Sequence, residues 1–167
     1  VKHFGQLIGE ADEAEIWRRW LTSTWVRRYE RGLCTREEFA RGMVEEYALD
    51  VTPEAFLRLF LSWPRGLLAG AEALVRQVDP RLAVACLSNT NELHWAEQQD
   101  AAIVHELFTR RFLSHEIGLV KPDRAIFDFV REALGYPGEA ICLLDHNIIN
   151  VEGARAAGLD AECAAGV

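Results

Sequence analysis

Ser88, Lys121 and Asp145 have the types and positions along the chain to handle phosphate. Ser88 and Asn89 directly follow the apolar run 82–87, and Asp145 directly follows the apolar run 140–144. A hydroxyl and backbone N–H groups at a strand–helix junction can hold phosphate oxygens, as can the start of the next helix. The Lys121 ammonium could neutralise phosphate or charge developing in a transition state. A carboxylate at a strand end suits Mg²⁺, a hard ion that favours oxygen and bridges to substrate phosphate. Each residue also has a plainer explanation. Ser88 and Asn89 could form only a turn, Lys121 could be solvated, and Asp145 could cap a helix near Ile148. The joint order of the three along the chain, rather than any single one, supports a common site.

The elements that must position them fall into two halves of different period. From residue 11 to about 77 the apolar residues recur at helical spacing, with Ile16, Trp17, Trp20, Leu21, Trp25 and Tyr29 on one broad face. Gly32 breaks that pattern. Thr35 and Glu38 have the capping-box form and predict a helix over about 35–48. Thr52-Pro53 opens another helix, which residues 63–66 should end, and a further one is expected over 67–78. Core packing is the expected role of the tryptophans, with one or two as candidates for a pocket wall.

After Asp79-Pro80 short apolar runs alternate with helical patterns. Runs 82–87 and 140–144 read as strands buried on both faces. A polar helix is expected from about Glu92, a short strand at 111–114, a helix from near Asp123 to Gly135, a helix at 150–157 closed by Gly158, and a last strand at 160–163. Ile126, Phe127, Val130 and Leu134 should form the inner face of the helix after Asp123. Such alternation implies an α/β fold with a doubly wound parallel, Rossmann-like sheet. The carboxyl ends of its strands share one edge, where ligands bind, and this brings Ser88 and Asp145 together. Lys121, in the loop 118–123, is placed least directly.

Half of the 167 residues are hydrophobic and about a quarter charged, with a formal net charge of -8 spread along the chain. That balance argues against a nucleic-acid or anionic-membrane partner, since both need clustered Lys and Arg. The apolar runs are too short to span a bilayer, and the N-terminal residues do not read as a secretory signal. Cys34, Cys86, Cys142 and Cys163 lack metal-ligand spacing; Cys86 and Cys142 read as small buried hydrophobes, and the expected setting is the reducing cytoplasm. His3, His94, His105 and His115 likewise lack ligand spacing and read as structural.

Leu87-Ser-Asn89, Glu116-Ile-Gly-Leu-Val-Lys-Pro-Asp123 with Ile126-Phe127, and Leu144-Asp-His-Asn147 with Asn150-Val-Glu-Gly-Ala154 occur in that order. They resemble the second, third and fourth motifs of the haloacid-dehalogenase-like (HAD) hydrolase superfamily, in the subgroup with a helical cap. Tyr29-Glu-Arg-Gly32 with Thr35 and Glu37-Glu-Phe39 is similar to the cap of its sugar-phosphatase-like and epoxide-hydrolase-linked members. The resemblance covers nearly the whole chain and divides it into a helical cap at 1–64 and an α/β core at 65–167.

The resemblance implies a two-step phosphoryl transfer to an aspartate at the end of the family's first strand, with Mg²⁺ as cofactor and a small phosphorylated metabolite as substrate. Ser88 and Asn89 would bind phosphate, Lys121 would stabilise the nucleophile and the transferring group, and Asp145 would hold the metal. The Asp-x-Asp or Asp-x-Gly strand that carries the nucleophile is expected upstream of Val1. It would lie centrally, between the strands ending at Leu87 and Leu144, and supply partners for their backbone edges. Residues 164–167 read as an interrupted ending. The fourth motif has His146 where the family usually has a second aspartate. An imidazole is a poorer Mg²⁺ partner and repels the ion when protonated. Asp145 itself speaks against metal-free removal of halide, since the dehalogenases resemble this pattern with a serine there. The remaining alternative is an inactive relative kept for binding or assembly, and the Trp-rich cap could contribute a homodimer contact.

Overall fold

The computed structural model of the chain describes residues 2–63, 66–97 and 100–164. Its first five helices are α1 (Lys2–Ile8), α2 (Glu13–Thr22), α3 (Thr24–Glu30), α4 (Arg36–Glu46) and α5 (Pro53–Leu61). Local chemistry sets their starts. The Asp12 carboxylate accepts from the N–H groups of Ala14 and Glu15, and the Thr52 hydroxyl accepts from Ala55 N–H with Pro53 next in line. Thr35 and Glu38 form both halves of the expected capping box. The long face from Ile16 to Tyr29 is not one helix, because Ser23 takes an extended conformation, ends α2, and accepts from Val26 N–H to start α3.

These helices close on an aromatic core. Phe4, Phe39, Phe56 and Phe60 are fully buried, and Tyr29 stacks on Phe39 with ring centroids 4.4 Å apart. Trp20, Trp25 and Trp63 pack against the same cluster. Gly42 is required where α4 meets α3, since a Cβ there would run into the Trp25 indole.

The α/β part contains α6 (Ala71–Arg76), β1 (Ala85–Ser88), α7 (Glu92–Ala96), α8 (Ala101–Leu107) and β2 (Arg110–Leu113). It continues with α9 (Ser114–Ile117), α10 (Arg124–Leu134), β3 (Cys142–Asp145), α11 (Ile148–Ala156) and β4 (Asp160–Cys163). β1 pairs parallel with β2, and β3 pairs parallel with β4. Registers Ser88↔Leu113 and Asp145↔Cys163 set Ser88 and Asp145 at the carboxyl ends of their pairs. Ile126 and Phe127 of α10 pack with Val151 and Ala154 of α11 in a second buried cluster, as the sequence pattern requires.

Several details differ from expectation. Among the described residues the strands form two two-stranded sheets, not one continuous sheet. Runs 82–87 and 140–144 are accordingly not buried on both faces: Leu82 is 64% exposed and Leu144 65%. Cys142 is exposed and Cys86 half-buried, so neither is a fully buried hydrophobe. The helix expected over 67–78 shrinks to α6, behind Gly70 in a left-handed conformation. Pro64 and Arg65, where α5 was expected to end and the cap to meet the core, lie outside the described residues, as do residues 165–167; α5 itself ends at Leu61. Among the described residues no helix is long and apolar enough to cross a membrane.

The core geometry predicts a sharp contrast in equilibrium urea unfolding. Phe39→Ala should lower the unfolding free energy by about 3–5 kcal/mol, whereas Leu33→Ala, at a side chain 54% exposed, should change it by under about 0.5 kcal/mol.

Candidate active site

Loop 118–123 is seated on the end of β1 by one side chain. Asn89 donates through Nδ2 to Lys121 O at 2.9 Å and accepts at Oδ1 from Lys121 N at 2.8 Å, reproducing a ladder pairing beyond the strand. Gly118, in the left-handed region, turns the chain out of α9, and Val120 is buried. From the other side α11 closes on the loop at Gly153, where an added Cβ would meet Pro122 O at 2.7 Å. The glycine of the Asn-Val-Glu-Gly run thus allows helix and loop to touch.

This seat aims the Lys121 ammonium between the two sheets. Nζ donates to Leu87 O at the end of β1 (3.0 Å) and to Asp145 Oδ2 at the end of β3 (2.6 Å). Lys121 and Asp145 are both buried, at 8% and 7% exposure. The Asp145 carboxylate also accepts from Asn147 N (2.8 Å at Oδ1) and Asn150 Nδ2 (3.1 Å at Oδ2). Burial disfavours its charge, but the Lys121 ammonium and these donors outweigh burial and hold its pKa below the usual value. Asn147, not Asp145, caps α11 by accepting from Ile149 N. Asn150 Oδ1 is buried without a hydrogen-bond partner beside this cluster. The Asp145 carboxylate and Asn150 Oδ1 are therefore oxygen donors on hand for a hard cation. Among the described residues no group of three His, Cys, Asp or Glu side chains gathers to hold a metal.

The helical layer covers this edge of the sheets. Arg27 pairs with Asp123, whose carboxylate makes no cap to α10, and Arg31 Nε donates to Gly118 O at 2.7 Å. Gly32, at φ 66°, lies where a Cβ would strike His115 O. These contacts fix α3 against the lysine loop and bring Glu30 to the cleft. Glu30 is 8% exposed and accepts from Trp20 Nε1 at 3.4 Å. Burial raises its pKa to about 7, against the lowering effect of Trp20, Lys121 and Arg27.

A cleft of about 740 Å³ joins these parts, with Ser88, Asn89, Lys121 and Asp145 lining its floor. The structure thus brings together all four residues singled out from the sequence, although Asn89 spends its side chain on the Lys121 backbone. His146 is largely exposed and tilts against Trp17 of α2, with ring centroids 5.4 Å apart. His94 lines the cleft with Nε2 2.8 Å from Phe60 O. Glu30 and Asn150 were not singled out from sequence as site residues. Both lie in runs that carry the family resemblance, Tyr29-Glu-Arg-Gly32 and Asn150-Val-Glu-Gly-Ala154, but nothing in the sequence setting of Glu30 distinguishes it from neighbouring cap carboxylates.

No family model matches the chain. A drimenol cyclase of Aspergillus calidoustus is 26% identical over 156 residues, 91% of this chain but only 28% of the cyclase. The chain therefore spans a little over a quarter of that curated relative. A HAD family enzyme from Bacteroides thetaiotaomicron, BT-2542, solved as a magnesium complex, superposes with a TM-score of 0.72 at 22% identity, covering 99% of this chain and 83% of the other. L-2-haloacid dehalogenase from Xanthobacter autotrophicus superposes with a TM-score of 0.66 at 19% identity, over 89% and 63% of the two chains. The chain has the HAD-like hydrolase fold, an α/β core under a helical cap.

The buried Glu30 predicts a pH effect of definite sign. Its carboxyl binds a proton more tightly folded (about 7) than at its ordinary value of 4.5, so its stabilising neutral form is fully present below about 4.5. That contribution is lost as pH rises from there through 7. Urea unfolding of Glu30→Gln should show a stability difference from wild type that grows in the variant's favour across this window, by on the order of 3 kcal/mol. A difference that does not change with pH would contradict the assignment.

Proposed function

We propose that the chain is the cap-bearing part of a Mg²⁺-dependent phosphatase acting on a small phosphorylated metabolite in the cytoplasm. The observation that carries this reading is the Lys121 ammonium, buried between the Leu87 carbonyl and the Asp145 carboxylate with Ser88 on the same cleft. In this reading the Ser88 hydroxyl and neighbouring backbone N–H groups bind the phosphoryl oxygens. Lys121 balances charge on the attacking carboxylate and on the group in transfer. The nucleophile is an aspartate on a strand between β1 and β3, outside the residues of this chain, and it forms an aspartyl-phosphate that water then hydrolyses.

Asp145 and Asn150 Oδ1 are the oxygen donors that would hold the cation. When bound, Mg²⁺ supplies neutralisation of the phosphate charge. Asp145 is kept ionised for this role by Lys121, while Asn147 and Asn150 fix its orientation. His146 makes a weak partner for the ion, and its contact with Trp17 gives it a place at the cap boundary instead.

The similarity to a drimenol cyclase favours a second reading, in which the same fold serves as one module of a longer cyclase. Product analysis separates the two: a phosphatase returns the parent alcohol with its carbon skeleton unchanged, whereas a cyclase returns one with a new ring.

In full-length protein, hydrolysis of a generic aryl phosphate should require Mg²⁺ and stop with EDTA. Asp145→Asn and Lys121→Ala should each lower turnover about 10²-fold or more. Unchanged turnover in both variants would sink the proposal.

A further inference from the structure

Beside the phosphate end, the cleft wall carries four indoles and several aliphatic side chains among its polar groups. Trp17, Trp20 and Leu21 come from α2, Trp63 follows α5, and Trp95 comes from α7. All four indoles are half-buried, so each keeps a surface open to the cleft. Two are braced from behind: Trp20 against Phe4 and Phe60, and Trp63 against Phe56 and Phe60. Trp17 is held against His146 and Trp95 against His105. A braced aromatic wall presents apolar area with little loss of side-chain freedom on binding.

Two polar groups on this wall are committed. Trp20 Nε1 is given to Glu30, and His94 Nε2 is paired with Phe60 O. A hydroxyl-rich sugar would lose its water here and find few partners, which disfavours it. A hydrocarbon chain gives up no hydrogen bonds on entering and gains from each methylene removed from water. At the opposite end Lys121 and Ser88 offer charge and a hydroxyl to an anion. The cleft therefore joins an anion-binding end to a wall that carries four indoles and the Leu21 and Leu68 side chains, and its volume of about 740 Å³ is ample for a chain of many carbons.

We infer that the substrate is a phosphate ester of an apolar, hydrocarbon-rich alcohol, with its phosphate at Ser88 and Lys121 and its chain along Trp17, Trp20, Trp63 and Trp95. The position of the phosphate rests on the phosphatase reading above; the apolar wall does not.

The test is calorimetric titration of the full-length protein with n-butyl, n-hexyl and n-octyl phosphate, beside glucose 6-phosphate and inorganic phosphate. Affinity should rise about two- to fourfold per added methylene, with glucose 6-phosphate no tighter than inorganic phosphate. Trp17→Ala and Trp95→Ala should each flatten the series, and Trp17→Phe should restore most of it. A flat series in the wild type, a series that keeps its slope in both alanine variants, or tighter binding of glucose 6-phosphate than of octyl phosphate overturns the inference. Lys121→Ala tests the other reading separately. It should weaken all esters and inorganic phosphate by a common factor; if inorganic phosphate binds unchanged, the phosphatase reading fails while the chain-length slope still decides the wall.

Discussion

A single buried ammonium holds the site together. Lys121 Nζ bonds the last carbonyl region of β1 and the terminal carboxylate of β3, which belong to separate two-stranded sheets. Burying two charges costs several kcal/mol each, and the pair is tolerable because hydrogen bonds from Asn147 and Asn150 complete the carboxylate's shell. Removing either partner leaves the other charged, buried and uncompensated, a loss of about 3–5 kcal/mol in comparable pairs. Much of the surrounding structure serves that contact. Asn89 fixes the lysine backbone, and Gly153 lets α11 approach the same loop.

The cap is tied to this point rather than placed at a distance from it. Arg27 of α3 and Arg31 just after it reach to both ends of the lysine loop, so motion of the cap and the setting of Lys121 are mechanically linked. Between those two arginines Glu30 is driven into the cleft, where burial raises its pKa to about 7. In the proposed function the labour divides accordingly: the strand ends supply charge for phosphate and cation, and the cap supplies the surface that meets the rest of the ligand.

Much of this was legible in the sequence because local rules govern it. Thr35 with Glu38, Thr52 with Pro53, and Gly135 each mark a helix end through their own backbone chemistry, and each does so in the structure. Ser88 and Asp145 could be placed together since parallel strands share a carboxyl edge. Other features depend on contacts distant in sequence. The break at Ser23 follows an apolar pattern that continues across it, so periodicity alone reads one helix. Exposure of Leu144 and Cys142 reflects which strand pairs with which, and apolar composition is silent on that. Glu30 acquires its raised pKa through burial, which its own sequence setting does not announce, and Asn150 meets Asp145, five residues before it, only once the turn into α11 has formed.

The central claim is that Lys121 and Asp145 act as one unit, and a double-mutant cycle tests it most directly. Lys121→Met, Asp145→Asn and the double variant would be compared with wild type in unfolding free energy and in the Kd for inorganic phosphate with Mg²⁺. The account predicts that each single variant costs about as much as the double variant, so that the coupling energy in unfolding is about as large as one single cost, about 3–5 kcal/mol. Effects that add to within about 0.5 kcal/mol would contradict it, because independent residues add and a shared ion pair does not.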